Sequence, residues 1–209
     1  MAGESLRMGP LLKSGMYLLS LWLLLVLVIV NKIDIPICLD CTFIGKDEIG
    51  SLISANALPL ICGAALLISL FFYFTFIHII DGVQEGPFEV IEVEDKTSDH
   101  LVFLATYVIP LLSFNLDTVR QIISLAITLS LIGAIYVKTN LFYANPTLSL
   151  LGFKIITVKF RPTKVNSISG NAILITREDI ILDTNVNVSK LDKNIYFAKK
   201  AIVIDHEKY

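Results

Sequence analysis

The chain has 209 residues, 55% of them apolar, with a formal net charge of −2 and a mean hydropathy of +0.72. So neutral a balance leaves no global basic footprint for nucleic acid. The apolar residues are gathered into four blocks almost free of charge, which sets the chain apart from a soluble globular domain, where periodicity disperses them. The pattern predicts a membrane all-α region of four transmembrane helices over 1–138, a junction over 139–153, and a small C-terminal all-β domain, barrel- or sandwich-like, over 154–209.

The first block, 15–30, follows Lys13 and ends before Lys32. It is slightly short for a hydrocarbon core of ~30 Å, and snorkelling lysines make up the difference. A signal peptide is the competing reading, but residues 31–41 offer no small-x-small cleavage site. The loop that follows carries Cys38-Leu-Asp-Cys41. This pair is a possible disulfide, Cys38 to Cys41, or a pair of inert thiols. Half a zinc site or a redox motif are the other readings, and the loop supplies neither further ligands nor a thioredoxin-like context.

The second block, 57–80, has no Asp, Glu, Lys or Arg. Pro59 falls in its first turn, where a proline does least harm. Cys62 inside it reads as a packing residue, and His78 near its end as an interfacial one. The loop 81–100 is acidic. Asp81, Glu85, Glu89, Glu92, Glu94, Asp95 and Asp99 stand against Lys96 alone. The alternation at 88–91 suits a short strand or an extended docking segment. Glu85, Glu89, Glu92, Glu94 and Asp95 are candidate contacts for a basic partner. The bland alternative is a solvated loop kept off an anionic leaflet.

The third block, 101–116, contains Pro110 and is predicted to kink. The fourth, 121–138, is uncharged up to Lys138. Small residues at Ala65/Ser69 and Ser124/Thr128 favour close helix packing. Four spans put both termini on one side. With that side inside, the inner segments hold fourteen Lys or Arg against Lys32, Lys46 and Arg120 outside, so the positive-inside rule favours cytoplasmic termini.

In the junction, Phe142 and Tyr143 suit an interfacial aromatic belt, and Asn145-Pro146 is predicted to end the helix in a turn. Strands are expected at 154–160, 171–177, 180–182, 186–191 and 195–199, with 201–204 extending or pairing with the last. So small a core is marginal alone, so the domain is expected to lean on an oligomer partner, the membrane helices or another protein.

No nucleotide-binding, metalloprotease or hydrolase motif occurs. The predicted spans hold no interior charge, which argues against an ion-coupled transporter. No enzyme activity, catalytic residue, cofactor or metal is expected.

The stretches His100-Leu-Val-Phe-Leu-Ala-Thr-Tyr-Val-Ile-Pro110 and Ile135-Tyr-Val-Lys-Thr-Asn-Leu-Phe-Tyr-Ala-Asn-Pro-Thr-Leu-Ser-Leu-Leu-Gly-Phe153 resemble the KwaA family, the membrane component of the bacterial Kiwa anti-phage defence system. Residues 143–146 are the most specific part. The resemblance implies a multi-pass inner-membrane sensor of phage infection. It also implies a homo-oligomer, a tetramer, and a soluble DNA-binding effector, KwaB, as partner. No direct nucleic-acid binding and no catalytic residue carry over. Two other architectures share helices followed by a small β domain: a pore or mechanosensitive-type channel, and an NfeD-like scaffold for a protease.

Overall fold

The computed structural model describes residues 8–34, 46–82, 85–96, 116–161 and 171–201. Cys38, Cys41, Pro110 and nearly all of the third apolar block lie outside them. Helix α1 (Pro10–Ser20) opens with proline at its first position, where the missing N–H costs nothing. Helix α2 (Trp22–Lys32) follows after Leu21, bent from α1 by 50°. Helices α3 (Lys46–Ala55) and α4 (Ala57–Ile80) meet at Asn56. The Asn56 amide donates to the Asp34 carbonyl and accepts from the Asp34 N–H, both at 2.8 Å, tying the ends of α2 and α4. Helix α5 (Val119–Thr139) starts at a Thr118–Gln121 capping box and stops at Asn140, whose φ of 58° ends the helix in a left-handed turn.

Among the described residues α4 and α5 are long and apolar enough to cross a membrane. The bent pair α1–α2 makes a third if it counts as one span. The expected unbroken helix over 15–30 is thus corrected to two helices broken at Leu21. Close approach between helices rests on glycine. A Cβ on Gly15 would lie 2.1 Å from the Phe72 ring, and one on Gly133 would lie 2.7 Å from Tyr17. Of the small pairs read from the sequence, Ser69 is fully buried, but Ser124 and Thr128 lie on the exposed face of α5.

The β region is a closed five-stranded barrel in the order β1-β2-β3-β5-β4. Its strands are β1 (Glu85–Asp95), β2 (Lys154–Phe160), β3 (Asn171–Thr176), β4 (Asn185–Asp192) and β5 (Ile195–Lys200). β3 and β5 run parallel and all other pairs are antiparallel, the strand order of an OB-type barrel. The first strand comes from the acidic segment between α4 and the third apolar block. That segment is therefore a structural strand longer than its 88–91 alternation suggested. The barrel so spans two stretches of chain with the 96–153 region inserted between β1 and β2.

Two further expectations are corrected. Residues 180–182 form no strand: Ile180 packs into the barrel core and the chain turns over 181–184. Ile181 and Leu182 are exposed there, while the backbone of Asp183 and Thr184 bonds to both sides of Val90 on β1. Phe142 is fully buried and does not sit in an interfacial belt. It belongs to one continuous core in which Met8, Leu12 and Met16 of the N-terminal helix region and Phe76 of α4 meet Phe153, Ile175, Leu191 and Phe197 of the barrel. The barrel interior is a separate cluster, with Phe88, Val90, Val158, Leu174, Val186 and Tyr196 at its centre. A third cluster around Leu24, Cys62 and Leu125 fills the space between helices.

Candidate functional site

The five acids read from the sequence all fall on β1 or at its ends. Antiparallel pairing sets Glu92, Glu94 and Asp95 against β2, with Glu92 opposite Lys159, and sets Glu85 and Glu89 against Val188 and Asn185 of β4. Glu92 pairs with Lys159 at 2.5 Å, Glu89 with Arg161 at 2.9 Å and Glu94 with Lys96 at 2.7 Å. All six side chains are partly or largely exposed, so each pair contributes about 0–1 kcal/mol. The Glu92–Lys159 pair runs across the β1–β2 ladder and supports its register, whereas Glu94–Lys96 lies along a single strand. Glu85 and Asp95 sit exposed at the two ends of the strand. Ile91 is 39% exposed among these charges, adding apolar surface beside the carboxylates.

The opposite flank is closed. The outward side chains Ile173 and Ile175 of β3 and Ile195 and Phe197 of β5 pack on the helices. In an OB-type barrel the faces that take oligonucleotides are the β2–β3 surface and the β1–β2 and β4–β5 loops. Here the β1–β2 connection is the 96–153 insertion that carries α5. The β4–β5 turn is seized by α1: Lys13 Nζ lies 2.5 Å from both Asp192 Oδ2 and Asn140 Oδ1. The Lys13 and Asp192 side chains are 13% and 7% exposed. The Met8 N–H donates to the Leu191 carbonyl at 3.1 Å beside them. A buried pair of this kind holds three elements in register, since removing one partner strands the other charge.

A second tie comes from the segment 143–147. Asn145 is fully buried, caps the short helix α6 (Pro146–Leu150), and donates from Nδ2 to the Met16 carbonyl at 3.0 Å. Thr147 Oγ1 donates to the Leu19 carbonyl at 2.8 Å. These bonds stand just before Leu21, at the bend. A helix that breaks without glycine or proline needs outside partners for its carbonyls, and Asn145 and Thr147 supply two. The sequence marked 143–146 as distinctive; its packing against α1 had no local signal.

A third contact joins α4 to the barrel. Lys199 Nζ donates to Asp81 at 2.8 Å. That hydrogen bond, then the lysine charge, holds the Asp81 carboxyl below its ordinary range. Lys154 acts likewise on Asp179, through an ion pair on the barrel surface. Among the described residues no group of three or more His, Cys, Asp or Glu is placed to hold a metal.

The anti-phage protein KwaA family model matches residues 12–197. The chain is 33% identical to the Kiwa protein KwaA of Escherichia coli O55:H7 (strain RM12579 / EPEC), over 91% of this chain and 96% of that protein. No solved structure matches. A match that takes in the helices, the Asn145–Thr147 tie and the barrel almost to the end of β5 places this chain in the KwaA family of anti-phage proteins.

Proposed function

We propose that the chain is a non-enzymatic inner-membrane sensor and scaffold of the Kiwa system, crossing the bilayer four times with both termini in the cytoplasm and assembling as a homo-oligomer. It would detect infection at the membrane and hold or release a KwaB-like DNA-binding effector on the β1 flank of its barrel. The observation that carries this reading is the division of the barrel. One flank is sealed against the membrane helices, and the other presents a strand of exposed carboxylates. A shift of the helices would then reach the acidic flank through the core that helices and barrel share.

Connectivity supports four crossings. α4 ends beside the barrel, where Asp81 meets Lys199, and Lys96 still bonds the barrel backbone at Ile155. α5 begins at the other end of the bundle, where Asp117 meets Lys32 of α2 at 2.6 Å. In this reading the uncharged block 101–116 is assigned to the remaining crossing. Four crossings would keep both termini on one side, the arrangement that positive-inside counting favours.

The test is co-purification of KwaB with the chain carrying Glu89→Lys, Glu92→Lys and Glu94→Lys. Loss of association with an unchanged melting temperature is the expected result. Undiminished association removes the β1 flank from the proposal.

A further inference from the structure

Where α4 meets the barrel there is a cavity of about 170 Å³. Ile77 and Ile80, in the last turn of α4, form its apolar wall, and Asp81, Lys199, Arg177 and Glu178 supply its polar lining. Asp81 and Lys199 satisfy each other. Arg177 and Glu178 do not: among the described residues neither takes part in an ion pair, although they are neighbours in sequence. The Arg177 guanidinium lies 4.2 Å from the centre of the Phe153 ring and donates from Nη2 to the Tyr73 hydroxyl at 3.1 Å. Both contacts orient the group, and the carboxylate on the cavity lining that feels its charge directly is Asp81, which is already paired with Lys199. Glu178 accepts from the Lys200 N–H at 2.7 Å through one carboxylate oxygen. An always-charged guanidinium with donors to spare and a carboxylate with a free oxygen thus stand side by side at the end of an apolar helix.

We propose that this cavity binds the head group of an amine-bearing glycerophospholipid, its phosphate on Arg177 and its ammonium on Glu178. The inference rests on the reading of α4 as a membrane crossing, which puts Ile77 and Ile80 at the depth where acyl chains give way to head groups. Guanidinium matches phosphate in its planar fork. The unpaired carboxylate beside it selects against a head group that brings negative charge alone. The partly buried Ile77 gives the acyl chains an apolar contact that a free phosphate cannot use, with the core residue Ile80 behind it.

The experiment is native mass spectrometry of the detergent-solubilised full chain with phosphatidylethanolamine or phosphatidylglycerol added. The wild-type chain is expected to retain the ethanolamine lipid preferentially. Arg177→Gln should weaken that retention roughly fivefold to tenfold, as the loss of a charged hydrogen bond at a partly exposed site does. Glu178→Gln, which keeps an oxygen for the Lys200 N–H, should abolish the discrimination while lipid is still retained, with an unchanged melting temperature as the check on the fold. Equal or better retention of phosphatidylglycerol by the wild type overturns the proposal. So does an Arg177→Gln chain that binds as the wild type does, or displacement of the lipid by soluble phosphoethanolamine at matched concentration. Cysteine labelling at the two ends of α4 from opposite sides of a sealed vesicle tests the crossing by itself, so failure of the lipid site and failure of the span are distinguishable.

Discussion

The two flanks of the barrel are made from the same kind of strand and meet different surroundings. On β3 and β5 both faces are apolar: Ala172, Leu174, Tyr196 and Ala198 fill the barrel, while Ile173, Ile175, Ile195 and Phe197 cover the helices. On β1 only the inward positions Phe88 and Val90 are buried, and carboxylates paired to β2 lie outside. The contrast follows the general rule that strands covered on both faces read as continuous apolar runs, whereas half-solvated strands alternate. The proposed function rests on that contrast, because a flank whose outer face is already core has no surface left for a partner. The flank held only by weak exposed pairs does.

The sharpest way to break this comparison is Phe197→Ala. That ring is 3% exposed in the core shared by helices and barrel, and its loss should cost about 3–5 kcal/mol. Ile91→Ala on the solvated flank should change the melting temperature by little, and thermal unfolding in detergent reads both. If the two variants melt alike, the flanks are not distinct. Next in size is Asp192→Ala, which leaves Lys13 buried with an uncompensated charge at about 3 kcal/mol or more. Lys13→Met combined with Asp192→Leu should recover most of that loss, and a double-mutant cycle measures the coupling. Asn145→Ala should cost about 1–3 kcal/mol by stranding a carbonyl in the interior. It should also let α1 and α2 straighten, seen as a changed distance between spin labels on either side of Leu21. The smallest effect belongs to Asp81→Asn at the exposed contact with Lys199. Because the Asp81 carboxyl is held below its ordinary value of 3.8, its contribution is present above that value and is lost as pH falls through the lower, folded-state one. The variant and the wild type should therefore differ by a constant small amount from pH 5 to 8 and converge only in stronger acid.

Much of this arrangement is legible along the chain. The uncharged block 57–80 coincides with α4, and alternation between turn signals places β2, β3, β4 and β5 to within a residue or two. The acidic positions are found because charge is a local property. What escapes is whatever depends on a distant partner. Nothing near Leu21 announces a break, since the groups that stabilise it are Asn145 and Thr147. Phe142 reads as an interfacial aromatic because its cover, α1 and the barrel, is remote in sequence. Residues 180–182 have strand composition but lead through a turn pinned to β1. The full extent of β1 is hidden for the same reason: its pairing strands, β2 and β4, begin only at Lys154 and Asn185.

That last separation governs how the molecule is made. Synthesis delivers domains from the amino end at ~5–20 residues per second. β1 leaves the ribosome with neither neighbour in existence, and residues 96–153 must follow before β2 appears. Until β4 arrives the growing chain carries an open strand edge, the kind of edge that pairs with the wrong chain. Closure of the barrel thus reports that the intervening membrane segment has been delivered. A chain that stalls in that segment lacks a closed barrel, so every property that depends on the finished β1 flank is confined to molecules in which residues 96–153 have been made.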